Sequence, residues 1–259
     1  MTSSLPHELL DWPLRTLVLE LNVARVQGDL TGANPSERFR EFAAGLRDPK
    51  IALGLLMEYP VLARQLVECV EAWRRTTGEI LERLCGDWPL IRRTLAGSAS
   101  AGSLVDLRTG AGDRHRDGRS VAVLSFSSGF RMVYKPRALA IDVGFEQLLQ
   151  TLNDWGCTPP FRTVEVIDQG THGWMEYAST GDCGSAPEVR RFYARQGSFL
   201  ALLYALHATD LHFENIVAAG EHPVIVDLES ILQPGPPHDD PLAGDFLFGS
   251  VVRVGLLLV

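Results

Sequence analysis

The residues of this sequence best suited to chemistry are concentrated in one segment, HATDLHFENIVAAGEHPVIVDLE, at positions 207–229. Asp210 and Asn215 stand in the spacing D-x-x-x-x-N. A short apolar strand, a polar turn and a second apolar strand follow and lead to Asp227. In phosphoryl transfer, one carboxylate lies near the attacking hydroxyl, while an amide and a second carboxylate hold the cation that bridges the nucleotide phosphates. The segment therefore predicts a phosphoryl-transfer site.

The D-x-x-x-x-N spacing alone is also typical of a helix C-terminus that runs into a polar turn. The second strand favours the functional interpretation, because its apolar residues 224–226 predict burial and yet it ends in two acids, Asp227 and Glu229. Carboxylates at a buried or half-buried position are costly unless a cation meets them, and a metal ion would serve. His212 and Glu214 add further groups that could bind a ligand in the same turn.

The composition limits the classes of function. The 259 residues are 46% hydrophobic, enough for one large or two ordinary domains. The formal net charge of −8 argues against an extended nucleic-acid-binding surface. Four scattered cysteines without a C-x-x-C pair indicate reduced thiols in a cytoplasmic protein and no structural zinc site. The N-terminus lacks the apolar run of a signal peptide, and no segment reaches the ~18 apolar residues of a membrane span.

Residues 1–97 are predicted to form a helical N-terminal capping region. Asn34, Pro35 and Glu37 read as a helix N-cap, a first-turn proline and a carboxylate that reaches back to the cap amide. Apolar residues that recur every three to four positions between 61 and 84 predict a long amphipathic helix. The helix that starts at Pro35 is expected to bury three apolar side chains: Phe39, Phe42 and Leu46.

Small residues at 96–103 indicate a linker, after which alternating periodicity replaces helical periodicity. Strands are predicted at 104–107, 121–126, 130–135, 162–167 and 173–177, and helices at 139–155 and 189–206. The predicted fold class is α+β. A sheet with one helix is expected at 98–178, followed by a mainly helical part at 179–259.

Lys135 ends the third predicted strand, and the polar loop 110–119 connects the first two strands. In protein kinases a loop at that position covers the nucleotide phosphates, and a lysine on the third strand contacts them. Glu146 is the candidate partner of Lys135, since the kinase lysine pairs with a helix glutamate. Two interpretations of the loop stay open: an exposed charged hairpin tip, or a site where Asp113 and His115 handle a phosphate and a proton.

Taken in order, seven segments resemble the dehydratase domain of class II lanthipeptide synthetases. They are ELNVARVQG (20–28), YPVLARQLVE (59–68), GDRHRDGRSV (112–121), VYKPR (133–137), FYARQGSFLALLYAL (192–206), TDLHFEN (209–215) and PVIVDLE (223–229). The resemblance implies a kinase-like N-lobe at 98–178 and a partial C-lobe with the catalytic and metal-binding loops at 179–259. It implies an enzyme that uses ATP and Mg²⁺ to phosphorylate Ser and Thr of a ribosomal precursor peptide with a leader sequence. The phosphate is then eliminated, which leaves dehydroalanine or dehydrobutyrine.

The resemblance also implies the site residues. The implied catalytic residues are Asp210, His212, Asp113 and His115. The implied nucleotide-binding residues are Lys135, Asn215, Asp227 and Glu229, of which the last three also bind Mg²⁺. Lys135 is expected to hold the phosphates, and Asp210 to orient or deprotonate the substrate hydroxyl with His212 in the same site. Asp113 and His115 match the family's loop residues tied to phosphate elimination.

Members of that family continue beyond the equivalent of Val259 into the rest of the dehydratase domain and a zinc-dependent cyclase. The sequence is therefore expected to be a fragment, a truncated form or a split component, with a complementing C-terminal chain as a partner. Dehydratase function is expected only if that chain supplies the missing portion. Two other classes of function stay open: a kinase-like phosphotransferase acting on a small molecule or lipid, and a non-catalytic module that binds a leader peptide. Nucleotide turnover without peptide favours the former, and peptide binding without ATP favours the latter.

Overall fold

The computed structural model describes residues 4–97, 100–110, 119–232 and 250–257, and it combines α-helices with antiparallel strands. The α+β class predicted from the sequence is confirmed. The chain forms two compact units, one made of Met1–Pro89 and Gly102–Gly129 and the other of Leu90–Ala101 and Phe130–Val259. Among the described helices, none has the length and apolar character needed to cross a membrane.

The N-terminal part of the chain is helical, as predicted. Its helices are α1 (Ser4–Asp11), α2 (Leu14–Gln27), α3 (Pro35–Gly45), α4 (Pro49–Glu58) and α5 (Pro60–Thr94). The predicted N-cap is confirmed, because the Asn34 side chain accepts a hydrogen bond from the amide of Glu37 at 2.9 Å. The Glu37 carboxylate accepts from the amide of Ala33 at 2.8 Å, one residue before the expected donor.

The burial predicted for α3 is wrong at Phe39, which is 58% exposed, while Phe42 and Leu46 are half-buried. Periodicity identifies the apolar face of a helix but not how far along that face a neighbouring element extends. Of the apolar residues that recur between positions 61 and 84 and that predicted helix α5, Leu62 and Ile80 are buried. This helix continues well past the predicted end at residue 84, to Thr94.

The first unit also contains an antiparallel hairpin, β1 (Leu104–Thr109) and β2 (Ala122–Phe126), in which Leu107 pairs with Leu124. Both side chains of that pair are buried. The ring of Phe126 stacks on Trp88 of α5 with 5.3 Å between the ring centroids. The first two predicted strands, 104–107 and 121–126, are therefore present, and the hairpin that they form packs on the C-terminal half of α5.

In the second unit, β3 (Arg131–Lys135) precedes α6 (Ala140–Asp154), β4 (Val166–Asp168) and β5 (Gly173–Glu176). Strand β5 pairs antiparallel with both β3 and β4. The predicted strand 162–167 is thus shorter and displaced toward its C-terminal end. Lys135 pairs with Gly173, where a Cβ atom would overlap the Ile167 carbonyl and the Leu139 side chain, so only glycine fits opposite the lysine.

The rest of the second unit comprises α7 (Ala186–Ala205), a 3-10 turn (Phe213–Asn215), the hairpin β6 (Ile216–Ala219) and β7 (His222–Ile225), and a second 3-10 turn (Val251–Val254). One core joins these elements to α6. Its fully buried side chains include Phe145, Leu149, Phe199, Leu203, Leu211, Leu228 and Val254. The loop that follows α7 and the residues that follow β7 are anchored in this core through Leu211 and Leu228.

Candidate functional site

Lys135 is buried at the C-terminal end of β3 and is 4% exposed. Its Nζ atom donates a hydrogen bond of 2.8 Å to Oδ1 of Asp142 and another of 2.8 Å to the backbone carbonyl of Val226. Val226 directly precedes Asp227. The lysine thus links β3 to the residue that introduces the candidate metal-binding acids, which are far away in the sequence.

Asp142, in the first turn of α6, is the acidic partner of Lys135, the role that was expected of Glu146. Its carboxylate is 1% exposed and contacts both Lys135 and Arg137. A carboxylate in the first turn of a helix is also stabilised by the helix dipole. The expected Lys135–Glu146 hydrogen bond is therefore replaced by Lys135–Asp142, one helical turn nearer the start of α6.

Glu146 instead accepts a hydrogen bond from the backbone amide of Val164 at 2.9 Å. Burial raises the pKa of the Glu146 carboxyl to about 7, and the negative charges of Asp142 and Glu176 act in the same direction. The hydrogen bond from Val164 and the charge of Lys135 oppose this rise. Glu146 is therefore a carboxyl that changes its charge near neutral pH beside a buried ion pair.

The loop after α7 presents Asp210 to solvent, with a side chain that is 85% exposed. Asp210 has a left-handed backbone conformation with φ of 56°, which aspartate tolerates better than most residues. The side-chain amide of Asn215 donates to the Asp210 carbonyl at 2.9 Å, and Leu211 N donates to the Val254 carbonyl at 2.8 Å. The D-x-x-x-x-N spacing thus closes a turn in which the asparagine fixes the backbone of the aspartate.

His212 belongs to the same turn. Its Nδ1 lies 3.2 Å from the Asp210 carbonyl, and its Nε2 lies 3.2 Å from the Glu214 carboxylate. The hydrogen bond to the Asp210 carbonyl raises the pKa of His212, and the hydrogen bond to Glu214 raises it further. Since both acceptors favour an N–H donor on each ring nitrogen, this geometry favours the protonated imidazole.

The acids Asp227 and Glu229 follow β7 on either side of the buried Leu228. Both carboxylates are half-exposed, at 47% and 44%. The backbone amide of Glu229 donates to Oδ1 of Asp227 at 3.0 Å, and the amide of Val226 donates to the Asn215 carbonyl at 2.9 Å. The backbone therefore brings the acid pair next to the turn that holds Asn215.

Arg137 joins the two halves of this site. Its Nε lies 2.7 Å from Glu229, its Nη1 lies 2.7 Å from Asp142, and its Nη2 lies 3.9 Å from Asp227. Burial lowers the pKa of Arg137, but Asp142, Glu229 and Asp227 together outweigh that effect and raise it. No motif in the sequence assigned a role to Arg137 or to Asp142. Arg137 stands in the motif VYKPR and could have been noticed there, whereas Asp142 had no signal beyond its place in a first helical turn.

The donor set offered by Asn215, Asp227 and Glu229 suits a hard divalent cation, because all three residues can supply oxygen ligands. The guanidinium group of Arg137 already contacts both acids, which shows that this position accepts positive charge. In the described part of the chain, no group of three or more His, Cys, Asp or Glu residues forms a metal cluster. A cation here would therefore depend on the amide and on further ligands such as phosphate oxygens. Asp113 and His115 lie outside the described residues.

A family profile described as "Domain of unknown function (DUF4135)" matches residues 59–258, and the chain belongs to this family. The matched range includes strand β3, which carries Lys135, and the two loops that carry Asp210 and Asp227. The N-terminal helices α1 to α4 lie before it.

Among curated proteins, the chain is similar to the "Lacticin 481/lactococcin biosynthesis protein LcnDR2" of Lactococcus lactis subsp. lactis. The two are 28% identical over 227 residues, which is 84% of this chain and 24% of the relative. The chain thus spans about a quarter of the length of that curated relative. Together the two matches confirm the resemblance to class II lanthipeptide synthetases that the motifs indicated.

Proposed function

We propose that this chain is the nucleotide-binding part of a lanthipeptide dehydratase with a kinase-like arrangement. Its substrates are ATP with Mg²⁺ and a ribosomal precursor peptide, whose Ser and Thr hydroxyls receive the phosphoryl group. The observation that carries the proposal is the 2.8 Å hydrogen bond from the buried Lys135 ammonium to the carbonyl of Val226, which brings a cation beside the acid pair that begins at Asp227. Phosphoryl transfer needs this combination of a lysine for phosphate oxygens and acids for the bridging cation.

The proposed division of roles follows from exposure and contacts. Lys135 binds phosphate oxygens from its buried position, while Asp142 holds its ammonium group in place. Asn215, Asp227 and Glu229 would hold Mg²⁺ through oxygen ligands, and the bound ion would offset the charge that develops on the transferred phosphoryl group. The exposed Asp210 carboxylate accepts the proton of the peptide hydroxyl. At the same time the hydroxyl oxygen bonds to the γ-phosphorus, and the bond between that phosphorus and the oxygen that leaves with ADP breaks.

The second half of the reaction is elimination. A base removes the proton from Cα of the phosphorylated residue, the electron pair forms the Cα–Cβ double bond, and the Cβ–O bond breaks as phosphate leaves. Asp113 and His115 are proposed for this step on the family resemblance. A carboxylate and an imidazole provide the proton acceptor and the positive charge that such a step requires.

The proposal is tested by incubating the protein, together with a chain that supplies the remainder of the dehydratase domain, with ATP, Mg²⁺ and a lanthipeptide precursor peptide and by measuring the peptide mass. A gain of one phosphoryl group, followed by loss of the elements of water relative to the starting peptide, is expected. The variant Asp210→Asn should not form the phosphorylated product. The control variant Asp154→Asn, which changes an exposed acid near the end of α6, should still form it.

The same assay separates the other functions considered from the sequence. ATP hydrolysis that proceeds without any peptide and leaves added peptide unmodified would contradict the proposal in favour of a small-molecule or lipid kinase. Leader-peptide binding without measurable nucleotide binding would contradict it in favour of a binding module.

A further inference from the structure

Arg137 is placed unusually for a residue near a candidate cation site, because one guanidinium group contacts three carboxylates. It donates a hydrogen bond of 2.7 Å to Asp142, forms an ion pair of 2.7 Å with Glu229 and lies 3.9 Å from Asp227. Lys135 and Arg137 together carry two positive charges against three negative charges on these acids. The group is therefore left with one net negative charge, and with two if the guanidinium is removed.

The guanidinium is held firmly on one side. The Asp142 carboxylate accepts hydrogen bonds from Nη1 at 2.7 Å and from Nη2 at 3.4 Å. This carboxylate is 1% exposed and is also paired with Lys135. The carbonyl of Ala138 accepts from Nη1 at 3.0 Å. On its other side, Nε lies 2.7 Å from Oε1 of Glu229 in an ion pair. Because Arg137 is anchored through Asp142, its charge stays near Glu229 and Asp227 and does not move away freely with solvent.

We propose that Arg137 is an internal cation that competes with the divalent cation for Glu229 and Asp227. The proposal rests on the proposed function in that these acids are the metal-binding ones. A carboxylate oxygen in a 2.7 Å ion pair with Nε is less available to a metal ion, and the fixed positive charge repels an incoming cation. Free Mg²⁺ is then bound weakly. The negative charge of nucleotide phosphates offsets the guanidinium, so the cation binds well only together with the nucleotide.

The competition is tested with Mn²⁺ alone, without nucleotide or peptide, by titration followed with electron paramagnetic resonance. Arg137→Gln removes the charge and leaves Asp142 paired with Lys135. This variant should bind Mn²⁺ roughly tenfold more tightly than the wild-type protein at low salt, an effect that shrinks as salt screens the half-exposed acids. Arg137→Lys keeps the charge and should stay within about threefold of wild type.

The matched control is Arg162→Gln. Arg162 forms a 2.8 Å ion pair with Glu176 in the same unit, with a side chain that is about as exposed as that of Arg137. Removing its charge should leave Mn²⁺ affinity unchanged. A gain in affinity that is equal in both glutamine variants would reflect net charge in general and would overturn the proposal.

Weaker or unchanged Mn²⁺ binding in Arg137→Gln would also overturn it, since Arg137 would then orient the acids or be unrelated to them. A second measurement uses the wild-type protein in case the variant does not fold. The Arg137 Nε–H signal, followed by nuclear magnetic resonance, should shift as Mg²⁺ is added, because Glu229 changes its partner. A signal that is insensitive to Mg²⁺ at saturation contradicts the competition.

The outcome is distinguishable from failure of the proposed function. Tighter Mn²⁺ binding by Arg137→Gln in a protein that never phosphorylates peptide would support the competition and reject the dehydratase role. Normal phosphopeptide formation with unchanged Mn²⁺ affinity in Arg137→Gln would support the dehydratase role and reject the competition.

Discussion

The ammonium group of Lys135 and the carboxylate of Asp142 form a buried ion pair with 2.8 Å between Nζ and Oδ1. The pair connects the end of β3 to the first turn of α6, and both side chains are almost fully enclosed. Removing charges from water is costly, so each member depends on the other. The pair therefore contributes to the fold of the second unit as well as to the candidate site.

Replacing Asp142 alone should destabilise the protein strongly. Asp142→Asn leaves Lys135 and Arg137 without the carboxylate between them, and breaking a buried ion pair from one side costs about 3–5 kcal/mol. The double variant Lys135→Met/Asp142→Asn should recover part of that loss, because it removes the buried ammonium as well. Urea unfolding measures both free energies. A double variant no more stable than the single one would argue against coupling between the two residues.

Glu146 should make stability depend on pH. The folded protein holds the Glu146 proton up to about pH 7 because its pKa is raised from 4.5, whereas the unfolded chain releases it nearer that ordinary value. The folded state therefore loses stability as pH rises between these two values, by up to about 3 kcal/mol. Glu146→Gln, which keeps an oxygen for the Val164 amide, should remove that contribution. Glu165→Gln, at an exposed position, should leave the pH profile of thermal unfolding unchanged.

The backbone of Asp210 depends on a close approach by Gly255. Gly255 has φ of 86°, and a Cβ atom there would lie 2.9 Å from Leu211 N and 3.4 Å from the Asp210 Cα. Gly255→Ala should therefore displace the Asp210 turn and lower peptide phosphorylation while nucleotide affinity is retained.

Gly156→Ala is the matched control for this substitution. Gly156 has φ of 94° with nothing within 4 Å of its would-be Cβ, so alanine there adds only the backbone cost of about 1 kcal/mol. Equal losses of stability and equal phosphorylation in the two variants would show that the contact with the Asp210 turn has no functional weight.

His115 gives a prediction about the order of the reaction. If it serves elimination, His115→Ala should transfer phosphate normally but release it slowly, because the acid–base group for departure is missing. Phosphorylated peptide should then accumulate, as measured by mass spectrometry. Loss of both phosphorylated and dehydrated peptide with nucleotide binding intact would assign His115 to transfer instead.

Much of the fold was accessible from the sequence because its signals are local. The alternation around Ser125 and Val133 identified strands, and the D-x-x-x-x-N spacing identified the turn in which Asn215 binds the Asp210 carbonyl. Residues that precede the acids were correctly predicted as a buried strand that ends near Asp227.

What could not be predicted depends on tertiary contact. A helix offers several side chains to a buried lysine, and only the placement of α6 decides that Asp142 meets Lys135 while Glu146 meets Val164. Phe39 is exposed for a similar reason, since its periodicity gives no information on what covers it. Arg137 was unassigned because two of its three acidic partners, Asp227 and Glu229, come from distant positions in the chain.

Nucleotide binding measured by calorimetry tests the central claim most directly. The wild-type protein should bind ATP in the presence of Mg²⁺, and Lys135→Met/Asp142→Asn, if folded, should lose that binding. Lys50→Ala, which replaces an exposed lysine of α4, should bind as the wild type does. Equal ATP affinity in the wild-type protein and a folded double variant would contradict the assignment of Lys135 to the nucleotide phosphates.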